Sequence, residues 1–92
     1  MELTGEILQR NGFSCNHPER VLKTYYYDKV FGYGITAQQM FDPLTNSTFW
    51  YVVAQNGPTN SASVTGIKTL EDFQSVINLA KIDLLIYNEW KL

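Results

Sequence analysis

The sequence predicts an α+β fold: an antiparallel sheet of about four to five strands with two helices packed on one face, in the rough order α-β-β-β-β-α-β. Three observations carry this expectation. Residues 67–90, IKTLEDFQSVINLAKIDLLIYNEW, change from a helical apolar period to a short extended one. The middle of the chain is rich in β-branched and aromatic residues and is punctuated by FGYG, DPLTNS and NGPTNS. The N-terminus carries the start and stop signals of a short helix.

Taking the elements in order, Thr4 is an N-cap, with Leu3 before it and Leu8 four residues after it at the spacing of a hydrophobic staple. Asn11 and Gly12 end that helix in a left-handed turn, which folds Phe13 back onto Leu8. SCNHPE, Ser14 to Glu19, has the composition of a loop. RVLKTYYYD, Arg20 to Asp28, reads as a strand with Val21, Lys23, Tyr25 and Tyr27 on one face and Leu22, Thr24 and Tyr26 on the other. FGYG turns the chain into a second strand, Ile35 to Phe41.

DPLTNS closes a hairpin through a four-residue loop, because Pro43 suits a type I turn and Asn46 tolerates positive φ. Pairing Asp42 with Ser47 sets Gln39 opposite Trp50, Ala37 opposite Val52 and Ile35 opposite Ala54, all on one face. Met40, Phe49, Tyr51 and Val53 then share the other. The strand Thr48 to Gln55 is apolar on both faces, which places it inside the sheet. NGPTNS, Asn56 to Ser61, is an exposed loop, and Ala62 to Ile67 is a weaker strand. Thr69 and Asp72 form a capping box for the second helix, whose stripe is Leu70, Phe73, Val76, Ile77 and Ala80. Glu71 and Asp72 in its first turn and Lys81 in its last complement the macrodipole, and Leu84 to Tyr87 form a final strand.

Ninety-two residues suit a single domain, 1–92, able to bury roughly 60–65% of the surface of the unfolded chain. A hydrophobic content of 45% against 17% charged residues excludes a disordered chain. The net charge of −2 lacks the positive field on which non-specific nucleic-acid binding relies. One cysteine permits no internal disulfide, and MELTGEILQR has neither the basic nor the long apolar region of a secretory signal, so a cytoplasmic location is expected. No apolar run approaches the ~20 residues that span a bilayer, and no membrane partner is expected.

Little in the sequence carries chemistry. Cys15 and His17 supply two metal-type ligands where a zinc site needs three or four, and no orienting group accompanies them as nucleophile and base. Glu71 and Asp72 are explained by capping. Gly32-Tyr33-Gly34 lacks the third glycine and the helix of a dinucleotide site, and Asn46-Ser47-Thr48 matches a glycosylation pattern in a chain without a secretory signal. No catalytic residue, metal or cofactor is expected.

The aromatic residues stand out. Two helices cover one sheet face, so the other face is left open and carries Met40, Phe49, Tyr51 and Val53, joined by Tyr25 and Tyr27 from the neighbouring strand. Such a surface suits a protein interface, since tyrosine buries large area at low entropy cost. It is equally what β propensity gives a wet sheet. With Arg20, Lys23 and Lys29 nearby it could also stack bases, although Glu19 and Asp28 offset those cations.

LTGEILQRNGF, Leu3 to Phe13, and IKTLEDFQSVINLAKI, Ile67 to Ile82, resemble the termini of short uncharacterised proteins of prophages and other mobile elements in gut Bacteroidetes. The matching positions are caps, a turn glycine and core residues, so the resemblance implies a bacterial or phage accessory protein and assigns no functional residue. The expected function is a non-enzymatic protein-interaction or oligomerisation module, self-association as a homodimer included. A nucleic-acid-associated regulator and a small enzyme using Cys15 and His17 are the alternatives.

Overall fold

The computed structural model describes residues 1–30, 33–58 and 60–79. Within them the chain forms α1 (Gly5–Arg10), β1 (Ser14–Cys15), β2 (Thr24–Val30), β3 (Tyr33–Asp42), β4 (Ser47–Asn56), β5 (Asn60–Ile67) and α2 (Leu70–Leu79). The strands make one antiparallel sheet in the order β1-β2-β3-β4-β5, with both helices against one face. The expected strand Leu84 to Tyr87, with Ala80 and Lys81, lies outside the described residues.

The helix ends follow from local chemistry. Thr4 Oγ1 accepts the Ile7 amide at 3.2 Å, which satisfies one of the donors that a helix start leaves free. At the other end the Phe13 amide donates to the Leu8 carbonyl and the Gly12 amide to that of Gln9, the two bonds of a Schellman ending. Gly12 has φ +94, and a Cβ there would press on Tyr27. In α2 the Asp72 amide donates to Thr69 Oγ1 at 3.1 Å, while Leu70, Phe73, Val76 and Ile77 are buried and Glu71, Asp72, Ser75 and Asn78 are exposed.

The β3–β4 hairpin has the expected register, from Asp42↔Ser47 through Gln39↔Trp50 to Ile35↔Ala54. Asp42 fixes its loop by accepting from the Leu44 amide and the Thr45 hydroxyl, and Asn46 takes φ 52. Other boundaries differ from expectation. Ser14 and Cys15 leave the anticipated loop to pair with Tyr26 and Tyr25. Arg20 to Lys23 lie outside β2, with Val21 almost fully exposed. The loop expected at Asn56 to Ser61 is shorter than anticipated, because Asn56 pairs with Asn60 and Ser61 with Gln55.

Two β-bulges decide what faces the helices. Between Asp28↔Gly34 and Val30↔Tyr33, β2 spends two residues against one of β3, and between Val52↔Val64 and Trp50↔Ile67, β5 spends three against two of β4. An extra residue exchanges the faces of everything beyond it. In β5 the bulge falls at Thr65 and Gly66, where Gly66 takes φ +81, and it turns Ile67 inward to lie opposite Trp50.

The buried side chains form one cluster around Phe73, Leu8, Ile35, Ile77 and Val52. Trp50 links it to the start of the chain: Nε1 donates to the Leu3 carbonyl at 3.1 Å, both residues being buried. The first residues run antiparallel to the β5–α2 junction, with the Leu3 amide donating to Lys68 and the Leu70 amide to Met1. Trp50→Phe strands the Leu3 carbonyl without its donor, which costs about 1–3 kcal/mol. For a domain of this size a melting temperature lower by at least about 4 °C is expected in thermal unfolding. An unchanged melting temperature would show that the indole N–H contributes nothing.

Candidate functional site

Strand alternation and the observed registers sort the sheet into a face against the helices and a face that no described element covers, here the open face. Trp50, Val52, Ala54, Ile35 and Ala37 lie inside. Met40, Phe49, Tyr51 and Val53 lie on the open face, half-buried except for Tyr51, which is exposed. The expected places of these four and of the covered residues agree with the structure.

Tyr25 and Tyr27 are corrected. A two-residue turn after Val30 with an unbroken ladder would set Tyr25 opposite Gln38 and Tyr27 opposite Thr36, on the open face. The bulge after Asp28 instead pairs Tyr25 with Ala37 and Tyr27 with Ile35, which turns both rings toward the helices. Tyr25 is only 6% exposed, its ring 5.7 Å from Trp50. Its hydroxyl sits where a Cβ on Gly5 would be, so the first residue of α1 has no room for a side chain. Tyr27 packs on Phe13 at 5.3 Å, and Phe13 on Phe73 at 5.9 Å. The same shift puts Tyr26, opposite Thr36 and half-buried, on the open face. The sequence reading missed it, since only the bulge reveals its side.

The open face is therefore a strip of Phe49, Tyr51 and Val53 along β4, flanked by Thr36, Gln38 and Met40 on β3, with Thr24 and Tyr26 beyond on β2 and Ser63 opposite Val53 on β5. These positions carry no charge. Asp42 marks one end of the face, its carboxylate engaged within the hairpin loop.

The remaining candidates sit elsewhere. Cys15 is half-buried against the core, whereas His17 is exposed in the following turn with Nδ1 3.3 Å from Glu19 Oε1. The own amide of Glu19, and then His17, hold that carboxyl below its usual range. Among the described residues no three His, Cys, Asp or Glu side chains converge as metal ligands, and no helix is long and apolar enough to cross a membrane. Lys23 precedes Tyr25 by two residues, and its backbone pairs with Gln39 through the Gln39 amide and the Gln39 Oε1. It thus continues the helix-side row, away from Tyr51. Arg20 is exposed in the segment before β2, and Lys29 is the unopposed residue of the bulge.

A pocket of about 160 Å³ opens beside the N-terminal segment, with Gln39, Thr48, Trp50 and Lys68 among its walls. Its polar groups already hold the fold: Trp50 Nε1 bonds Leu3, and Gln39 Oε1 accepts from the Lys23 amide.

Burial, then the neighbouring Cys15 and Glu6, push the Tyr25 phenol above its ordinary value of about 10. Below that value the phenol is protonated whether the chain is folded or not. As pH rises past it the unfolded chain loses the proton first, so stability falls until the folded phenol also ionises. The urea midpoint is expected to drop between about pH 9.5 and 11 and to drop less in Tyr25→Phe. Identical slopes in the two proteins would mean that Tyr25 titrates as a free tyrosine does.

Comparison with protein-family models, with curated proteins and with solved structures finds no match for this chain.

Proposed function

We propose that the chain is a non-enzymatic protein-interaction module whose binding surface is the open sheet face centred on Tyr51 and Phe49. The observation that carries this reading is the composition of the face. Aromatic and aliphatic side chains at Tyr26, Met40, Phe49, Tyr51 and Val53 lie among hydroxyl and amide groups with no described charge between them. A charge-depleted centre with tyrosine anchors is what distinguishes the core of a protein interface from ordinary surface.

The nucleic-acid alternative is less supported. Phosphate contacts need cations beside the stacking rings, and Lys23 continues the opposite row. The enzyme alternative needs Cys15 and His17 to meet, yet the thiol packs on the core while the imidazole stands in solvent against Glu19.

Replacing Tyr51 with a photo-crosslinking phenylalanine analogue, in cells that make the protein, tests the reading. A protein adduct is expected from position 51. None is expected from Leu44, which is 94% exposed at the hairpin tip. Failure to trap any protein from position 51, or a nuclease-sensitive adduct there, would overturn it.

A further inference from the structure

The chemistry of the open face points to its occupant, and we infer that it is a second copy of this chain, packed face to face about a two-fold axis. The inference rests on the reading of this face as a protein interface and names the partner. In a two-fold interface residue i meets residue j while j meets i, so the surface must be complementary to itself. A face with charges inside it meets like charge near the axis and loses energy there. This one carries none at its described central positions, which lie between Asp42 and the far ends of β3 and β4.

Its polar groups satisfy the same condition. Thr24, Tyr26, Thr36, Gln38, Tyr51 and Ser63 each carry both a donor and an acceptor, so each can bond an identical group on a mate. A partner rich in arginine or carboxylates would find no counter-charge at these central positions. Phe49, Met40 and Val53 supply the apolar area between the polar groups.

The size of the face is adequate for a modest dimer. Four strands at ~4.8 Å spacing and about eight residues at ~3.3 Å rise give a patch of roughly 500 Å² in projection. That sits somewhat below the ~800 Å² per partner of a standard interface, in the range of weak association. Aligned sheets pack about 10 Å apart, close enough for side chains of the two faces to interdigitate. The cross-strand pair Gln38↔Tyr51 lies at the middle of β3 and β4, which places the axis beside Tyr51 and brings the two Tyr51 rings together.

Sedimentation equilibrium of the full chain between about 5 and 500 µM tests this, with a monomer–dimer equilibrium in the micromolar range expected. Tyr51→Lys and Tyr51→Glu are each expected to raise the dissociation constant at least tenfold. Mixed in equal amounts they are expected to restore a dimer containing one of each, a result that damaged folding cannot produce. A wild-type chain that stays monomeric throughout, or single variants that dimerise as well as wild type, would overturn the second-copy assignment. If the wild type is monomeric while crosslinking at position 51 traps a different protein, the interface stands and only this occupant is lost. If position 51 traps no protein at all, the interface reading falls with it.

Discussion

The hydrogen bond from the Trp50 indole to the Leu3 carbonyl joins residues 47 positions apart, and the arrangement of the covered face depends on it. Trp50 sits on β4, which is paired on both sides, so its ring has little freedom. It holds the segment before α1 against the sheet, where Leu3 and Lys68 then pair through the backbone. Its ring also packs on that of Tyr25, and the Tyr25 hydroxyl occupies the space that a side chain on Gly5 would need. The position of α1 is thus set from below by two aromatic rings and from its own ends by Thr4 and Gly12. Neither cap alone would fix a six-residue helix, since isolated helices of that length are unstable in water.

Features settled within a few residues of chain were legible in the sequence. Thr4, Gly12 and Phe13 specify the ends of α1 through backbone geometry, and the period of Leu70, Phe73, Val76 and Ile77 specifies the buried side of α2. The β3–β4 register was legible for the same reason, because Asp42, Pro43 and Asn46 dictate a loop of fixed length. With it came the sides of Met40, Phe49, Tyr51 and Val53.

The sides of the three consecutive tyrosines were not legible. An alternating strand states which residues share a face and leaves open which face that is. The answer depends on a count of residues across the turn, and the bulge in β2 changes that count by one. Tyr25 and Tyr27 therefore belong to the core and Tyr26 to the open face, the reverse of the expected arrangement. The short pairing of Ser14 and Cys15 was hidden for a related reason: a two-residue strand has no period, and it forms because the Schellman ending of α1 delivers Ser14 beside Tyr26. In both cases the deciding interaction lies outside the segment that it orders.

The bulges also bear on where a partner can bind. A sheet offers two kinds of unfilled surface, the backbone of its outer strands and the side chains of an uncovered face, and proteins commonly blunt the first with short or bulged edge strands. In the described sheet the outer strand β1 is two residues long, and β5 is broken near its end by the bulge at Thr65 and Gly66. A further strand added to either side would meet an interrupted row of donors and acceptors. The open face is different, since β3 and β4 run opposite one another for ten residues without a break and hold Phe49, Tyr51 and Val53 in a straight row. Binding through side chains on that row needs no change in backbone pairing. The bulge that turns Ile67 inward thus interrupts one edge and the shortness of β1 the other, which leaves the uncharged middle of the sheet as the surface on which the proposed partner would dock.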